Sequence, residues 1–396
     1  MVSWCEGYDA ACRRRVKQRL RPGRTGRRPP PDVHPVRGGH QSRVGQHWSF
    51  VDREEPCMPA LAVTAAEMVA TGKGILAADE SVGTMSSRLE NAGVEPTADN
   101  RAAYRALLLT TPDLSDGVSG VIYCDETLRQ RLPDGRPFVE ATVQSGLLPG
   151  IKVDMGTKPL AGADDETVTE GLDGLRDRLA EYATMGARFA KWRAVIRIDE
   201  GKPTHQAIRA NAHALARYAA LCQEAGIVPI VEPEVLMDGA HSLDRCAVVT
   251  SVVLLEVMGE LRDSGVELDG IVLKPNMVLP GQDCPDGASS GDIAAATLQA
   301  LSTVVPADVA GIAFLSGGQG SVLATERLAA LRRLDAPWPL TFSFGRALVD
   351  DALAAWRGDS ERVGDGQAAL AHRVRCNSAA LSGGYSALLE RETVSR

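Results

Sequence analysis

Short apolar runs recur along residues 74–344 and alternate with longer amphipathic stretches. Each run is four to six residues long and is bounded by glycine or polar residues, which is typical of buried strands. Eight runs have this character, at residues 74–78, 120–123, 150–153, 187–192, 227–231, 270–273, 311–315 and 340–344.

Several of the intervening stretches have the 3.6-residue apolar period of helices. Clear examples are residues 170–185, 205–224, 242–263 and 291–304. Alternating strands and helices favour a parallel sheet, and eight such units favour its closure into a (β/α)8 TIM barrel. An open doubly wound sheet is the alternative architecture.

Nearly every predicted strand ends in, or is followed by, polar residues or glycines suited to chemistry. A barrel brings all carboxyl ends of its strands to one mouth, whereas an open sheet spreads them along an edge. The pattern therefore favours closure. The residues are Asp79, Lys152, Lys191 with Arg193, Glu232 with Glu234, Lys274, Ser316 with Gly317 and Gly318, and Ser343 with Gly345 and Arg346.

Three lysines, Lys152, Lys191 and Lys274, would converge on this mouth, and Lys274 closes a wholly apolar strand. Burial and neighbouring cations both disfavour an ammonium ion. Three ammonium groups at one mouth would therefore repel each other, so we expect a nucleophilic amine that attacks a carbonyl group.

Carboxylates complete the predicted chemistry, because a Schiff-base reaction also needs an acid and a base. Glu232 and Glu234 are two residues apart on an extended strand and would point to the same side. Asp79 ends the first strand. Carboxylates that share a cleft can have their pKa values pushed apart, which would allow separate acid and base roles.

The glycine-rich loops after the last two strands predict a phosphate site. Glycine lets backbone N–H groups approach an anion, and the following helix N-terminus adds its dipole. Arg346 can bind phosphate oxygens with two N–H groups. The loops after strands 7 and 8 are the usual phosphate site of such barrels.

Charge divides the chain into two unlike parts. Residues 1–57 contain 12 Lys/Arg and 6 Asp/Glu, whereas residues 58–396 contain 31 and 45, so the net charge of −8 is the sum of +6 and −14. The first part includes Arg13-Arg14-Arg15 and Pro29-Pro30-Pro31 and has no apolar period, so we expect a disordered basic extension. It would be upstream sequence before a natural start at Met58, an organelle leader or a basic nucleic-acid arm.

The rest of the composition excludes several classes of protein. The chain is 44% hydrophobic and 24% charged, which suits a large core, and no run reaches the roughly 18 apolar residues of a membrane span. The acidic main part argues against nucleic-acid binding. The eight scattered cysteines lack a CxxC pair, so we expect a reducing, cytoplasmic compartment.

Metal-dependent chemistry finds little support in the sequence. Outside the extension the histidines are His205, His213, His241 and His372, and none forms a short-spaced cluster with carboxylates at strand ends. The neighbouring lysines would also repel a cation. We therefore predict chemistry without a metal or another cofactor.

Seven phrases resemble, in order, the class I fructose-1,6-bisphosphate aldolases of the animal and plant type. The resemblance runs from Gly72 to about Leu381. It implies a (β/α)8 barrel, a homotetramer, no metal, and reversible cleavage of fructose 1,6-bisphosphate to dihydroxyacetone phosphate and glyceraldehyde 3-phosphate in glycolysis and gluconeogenesis. The phrases are GKGILAADES (72–81), GIKVD (150–154), FAKWR (189–193), IVPIVEPE (227–234), LKPNMV (273–278), FLSGGQ (314–319) and GRAL (345–348).

The resemblance also implies roles for individual residues. Lys274 matches the Schiff-base lysine, Glu232 the acid and base of carbinolamine dehydration, and Asp79 the group that takes the hydroxyl proton during C–C cleavage. The other matches are Lys191 beside the imine, Lys152 as a further active-site lysine, Glu234 near the Schiff-base lysine, one phosphate site at Ser316, Gly317, Gly318, Ser343, Gly345 and Arg346, substrate contacts at Ser81, Thr84 and Arg88, and Arg193 at the opposite end.

Three departures from the family pattern accompany the resemblance. The chain ends Thr393-Val394-Ser395-Arg396, where the family has a terminal tyrosine that assists proton transfer, so we expect slower proton exchange on dihydroxyacetone phosphate. Phe344 replaces a common tyrosine and Ser87 a common lysine. The alternatives are a Schiff-base aldolase with another choice of sugar phosphate, and a catalytically weak relative that serves as a scaffold.

Overall fold

The computed structural model describes residues 61–392. The predicted basic extension at residues 1–57, the proposed start at Met58 and the C-terminal residues 393–396 lie outside the described residues.

Ten strands are present in the described part of the chain. They are β1 (Gly74–Ala78), β2 (Val118–Tyr123), β3 (Leu148–Lys152), β4 (Thr157–Pro159), β5 (Thr167–Thr169), β6 (Phe189–Ile196), β7 (Val228–Val235), β8 (Val272–Leu273), β9 (Gly311–Phe314) and β10 (Leu340–Phe344).

Thirteen α-helices connect or flank these strands within residues 61–392. They are α1 (Leu61–Met68), α2 (Val82–Asn91), α3 (Ala98–Leu109), α4 (Leu114–Gly117), α5 (Asp125–Arg129), α6 (Phe138–Gln144), α7 (Leu175–Thr184), α8 (His205–Glu224), α9 (Leu243–Asp263), α10 (Ser290–Val304), α11 (Ser321–Arg332), α12 (Arg346–Trp356) and α13 (Val363–Ser382), with 3-10 turns at Leu268–Gly270, Ser360–Arg362 and Leu389–Arg391.

Eight strands close into a parallel barrel, in the order β1-β10-β9-β8-β7-β6-β3-β2. All eight are strands that the apolar runs predict, so the predicted (β/α)8 barrel is confirmed and the open doubly wound sheet is wrong. The strands β4 and β5 form a separate antiparallel hairpin outside the barrel.

The boundaries of some elements differ from the prediction. The strand β6 continues to Ile196 and β7 to Val235, four residues beyond the apolar runs, because polar residues of the site lie within the paired strands. The helix predicted over residues 170–185 begins only at Leu175. Gly171 and Gly174 before it have φ of 126° and 66°, a conformation that does not continue a helix.

Two apolar cores position the chemistry at one end of the barrel. The larger core lies between the sheet and its outer helices. The smaller core joins α1 to strand residues such as Ile75, Phe189 and Ile230. Phe189 needs the space at Gly150, where an added Cβ would lie 2.2 Å from its ring. The apolar side chains therefore form the cores, and the polar residues lie at the carboxyl ends of the strands.

No helix within residues 61–392 has both the length and the apolar character needed to cross a bilayer.

Candidate active site

Six buried or half-buried side chains from five strands or strand ends form a lysine–carboxylate cluster. They are Asp79, Lys152, Asp154, Lys191, Glu232 and Lys274. The parallel register explains why they meet, since Lys152 on β3 lies beside Lys191 on β6, and Arg193 on β6 lies beside Glu232 on β7. The expectation that strand-end residues converge is confirmed for these positions.

The Glu232 carboxylate lies between two lysines. Its Oε1 is 3.3 Å from Lys274 Nζ, and its Oε2 is 3.4 Å from Lys191 Nζ. All three residues are at most 4% exposed. A single carboxylate can therefore exchange a proton with either amine in an environment that largely excludes water.

Asp79 and Lys191 form a close ion pair, with 2.6 Å between Oδ2 of Asp79 and Nζ of Lys191. Burial alone would raise the pKa of Asp79, but the charges of Lys191, Lys274 and Lys152 outweigh burial and lower that pKa to about 2. Burial likewise opposes the charge on Lys191, but Asp79, Glu232 and Asp154 outweigh it and raise the pKa of Lys191.

Repulsion among the clustered lysines therefore does not remove the charge of Lys191. The reason is that carboxylates from other strands separate the amines. Asp154, which directly follows β3 in the chain, is one of them and was missed among the candidate residues. Its Oδ1 lies 2.6 Å from Lys152 Nζ and its Oδ2 lies 3.9 Å from Lys191 Nζ.

Glu234 lies apart from these lysines. Its carboxylate pairs with the Arg193 guanidinium, and within residues 61–392 no ion pair joins it to Lys274 or Lys191. A Cβ at Gly317 would lie 3.8 Å from Glu234 Oε1, so the loop after β9 passes next to this carboxylate. Glu234 thus lies beside the predicted phosphate site and pairs with Arg193 there.

The loops after β9 and β10 are adjacent, because these two strands pair. Gly317 and Gly318 have φ of 55° and 86°, which favours glycine and turns the backbone away from the strand direction. The Ser343 hydroxyl is buried and has no hydrogen-bond partner in the described part of the chain. Arg346 is exposed, and its Nη2 lies 3.7 Å from where a Cβ of Gly318 would stand.

Comparison with known proteins decides the family. The family model "Fructose-bisphosphate aldolase class-I" matches residues 60–396. The chain belongs to this family. The predicted family and enzyme class, a fructose-bisphosphate aldolase, are therefore confirmed.

Individual aldolases agree with this assignment. The chain is 54% identical over 300 residues to a probable fructose-bisphosphate aldolase class 1 of Xanthomonas campestris, covering 76% of the chain and 90% of that protein. It is 51% identical over 327 residues to the cytosolic fructose-bisphosphate aldolase 5 of Arabidopsis thaliana, covering 82% and 91%. A solved Plasmodium falciparum aldolase, in complex with TRAP and a small-molecule inhibitor, is 45% identical with a TM-score of 0.81, covering 82% and 95%.

The remaining aldolase positions lie after β1. Ser81 caps α2, accepting a hydrogen bond from the Thr84 backbone N–H at 3.2 Å, and the two hydroxyl groups lie 2.9 Å apart. The Arg88 guanidinium pairs with Glu80 and also with Asp350, at 2.7 Å. Sequence reasoning did not find these partners, one of which lies 262 residues away. Arg88 is therefore not a free cation, whereas Ser81 and Thr84 are exposed.

A divalent metal would meet competition from cations at these carboxylates. Asp79, Asp154, Glu232 and Glu234 each contact a lysine or arginine nitrogen. A cation there would have to compete with three ammonium groups and the Arg193 guanidinium for these four carboxylates, and no histidine or cysteine is among the donors, so this set suits amine chemistry better than metal ligation.

Proposed function

We propose that this chain cleaves D-fructose 1,6-bisphosphate reversibly to dihydroxyacetone phosphate and D-glyceraldehyde 3-phosphate through an imine on Lys274. The observation that carries the proposal is the position of Lys274 Nζ, which is buried and lies 3.3 Å from a carboxylate shared with Lys191. Membership in the class I aldolase family supports the same substrate.

Imine formation is the first stage. The Lys274 amine attacks the C2 carbonyl carbon of the ketose, and the carbonyl oxygen becomes the hydroxyl group of a carbinolamine. Glu232 donates a proton to this hydroxyl, which leaves as water, and the nitrogen is left as a protonated imine. Glu232 suits this role because its oxygens lie within reach of both amines.

Cleavage follows from the imine. Asp79 takes the proton of the C4 hydroxyl, the C3–C4 bond breaks, and its electron pair moves to the imine nitrogen to form an enamine. The lowered pKa of Asp79 keeps this group ionised near neutral pH, so that it can accept a proton. Glyceraldehyde 3-phosphate leaves, and protonation of the enamine at C3 followed by hydrolysis releases dihydroxyacetone phosphate. Lys191 and Lys152 balance the carboxylate charges throughout.

The two phosphates would bind at different places. Ser316, Gly317, Gly318, Ser343, Gly345 and Arg346 would hold one of them, since this region presents an exposed arginine and a buried hydroxyl without a partner. Ser81, Thr84 and Arg88 would contact the substrate after β1, and Arg193 would contact its opposite end. Arg88 and Arg193 now pair with carboxylates, so the anion would bind each guanidinium either beside its carboxylate partner or in place of it.

The proposal extends to the setting of the enzyme. We infer a homotetramer that acts in the cytoplasm in glycolysis and gluconeogenesis, without a metal in the chemistry. We also infer that residues 58–396 form the catalytic unit and that residues 1–57 are not needed for turnover. Removal of residues 1–57 should then leave kcat/KM within about twofold of the full chain.

A coupled assay of glyceraldehyde 3-phosphate release tests the function. Fructose 1,6-bisphosphate should be cleaved at the same rate with and without EDTA, and faster than fructose 1-phosphate. Loss of turnover in EDTA would contradict the proposed chemistry. A higher kcat/KM for fructose 1-phosphate would favour the alternative, an aldolase that prefers another sugar phosphate. Phe344→Tyr and Ser87→Lys would then be the first substitutions to test.

A further inference from the structure

A second group of reactive side chains lies on the last helix, outside the barrel mouth. His372 and Cys376 are one turn apart on α13, and Glu390 lies in the C-terminal segment that follows this helix. Their potential ligand atoms all lie within 4.8 Å of one another. None of the three follows a barrel strand, and none takes part in the proposed imine chemistry.

The distances suit a tetrahedral metal ion. Zinc lies about 2.3 Å from a cysteine sulfur and about 2.0–2.1 Å from a histidine nitrogen, which places the two ligand atoms about 3.6 Å apart at a tetrahedral angle. Cys376 Sγ and His372 Nε2 are 3.7 Å apart. The i, i+4 spacing puts both side chains on one face of α13.

The carboxylate is already held in place by its neighbours. Glu390 Oε1 accepts a hydrogen bond from Tyr385 Oη at 2.9 Å, and Oε2 pairs with Arg373. Arg373 in turn donates to Thr325 on α11 at 2.6 Å. A carboxylate has about four lone-pair sites, so it can keep both partners and still bind a metal. Ligating carboxylates in metal sites are commonly held in this way.

We propose that His372, Cys376 and Glu390 bind a zinc ion, with water as the fourth ligand, and that this ion fastens the C-terminal segment to α13. Zn²⁺ replaces the thiol proton, which goes to solvent, and the thiolate and the Glu390 carboxylate supply two negative charges, which the ion shares with Arg373. The site is independent of the aldol chemistry, so chelation should destabilise the segment without stopping turnover.

Cobalt is the direct probe, because a thiolate ligand gives Co²⁺ a charge-transfer band in the near ultraviolet. We would titrate CoCl₂ into the reduced full chain and expect this band to saturate at one equivalent per subunit and to disappear when Zn²⁺ is added. Cys376→Ser should abolish that equivalent. Cys284→Ser, which changes a half-buried cysteine outside the site, should keep it.

A second measurement tests the site even if Cys376→Ser fails to fold. His372→Gln keeps the thiol, and its fold can be checked by circular dichroism. With ZnCl₂ at about 100 times the Kd, we expect Tm to rise by about 3–6 °C in the parent chain and by less than about 1 °C in His372→Gln. A Co²⁺ band unchanged by Cys376→Ser, the absence of any band, or an equal Zn²⁺-induced shift in His372→Gln would each overturn the proposal.

Discussion

The lysine–carboxylate cluster and the loops after β9 and β10 lie at the same end of the barrel, but their polar groups are satisfied in different ways. In the cluster, each of the three lysines lies within 4 Å of a carboxylate. Around the ends of β9 and β10, Arg346 at the start of α12 forms no ion pair with any residue of 61–392, and the buried Ser343 hydroxyl of β10 has no hydrogen-bond partner there. The contrast suggests that the cluster moves protons among its own members, whereas the loops are prepared for an anion from outside.

Removing the shared carboxylate should have the largest effect. Glu232→Gln deletes the acid and base between Lys274 and Lys191, so kcat should fall about 10²–10⁴-fold. Steady-state kinetics with fructose 1,6-bisphosphate measure this loss. Glu224→Gln, which changes an exposed carboxylate at the end of α8, is the control and should keep full activity. A kcat within tenfold of the parent would remove Glu232 from the chemistry.

Removing the unpaired guanidinium should affect binding instead. Charge-assisted hydrogen bonds contribute about 1.5–3 kcal/mol, so Arg346→Ala should raise KM about 10–100-fold and change kcat only a few-fold. Arg209→Ala, on the exposed side of α8, should leave both constants unchanged. If Arg346→Ala lowers kcat and leaves KM alone, the loop acts in the chemistry and the contrast between the two regions fails.

Acid should weaken the cluster through Asp79. The pKa of Asp79 is lowered to about 2 in the folded chain from 3.8, so its ionised form contributes about 2 kcal/mol of stability above pH 4 that is lost as the pH falls toward 2. Urea unfolding of the parent between pH 5 and pH 2.5 should show this loss. Asp79→Asn should flatten the pH dependence in that window, whereas Asp283→Asn, an exposed change, should preserve it. An unchanged slope in Asp79→Asn would contradict the pairing with Lys191.

The smallest effect should come from the buried Ser343 hydroxyl at the end of β10. Ser343→Ala removes a buried group without a partner, so the free energy of unfolding should stay the same or rise by up to about 1 kcal/mol. The phosphate would lose one donor, so KM should rise about fivefold. Urea unfolding and kinetics on the same variant separate the two quantities. A clear loss of stability would mean that the hydroxyl has a structural partner.

The sequence predicted the barrel because each strand is an apolar run and each carboxyl end bears polar residues or glycines. It could not predict the hairpin of β4 and β5, since the three residues Thr157–Pro159 are exposed and have no apolar pattern. The start of the helix after Gly171 and Gly174 was also missed. Glycine can adopt a positive or a negative φ, and only the folded backbone shows that φ is positive at both positions.

The identity of the site residues was predictable, but their partners were not. Repulsion among the three lysines was expected to leave one nucleophilic amine, but the sequence did not show that the closed barrel brings Asp79 to 2.6 Å from the Lys191 amine. Arg88 pairs with Asp350 across 262 positions of the chain. Such pairings depend on which distant elements the closed barrel brings together, and a local sequence pattern does not contain that information.

The central claim is that Lys274 forms an imine with the ketose, and chemical trapping tests it most directly. The full chain would be incubated with dihydroxyacetone phosphate and reduced with borohydride, and its peptides would then be mapped by mass spectrometry. The account predicts one stable adduct, on Lys274, and none on Lys152 or Lys191. An adduct on another lysine, or none at all, would contradict it.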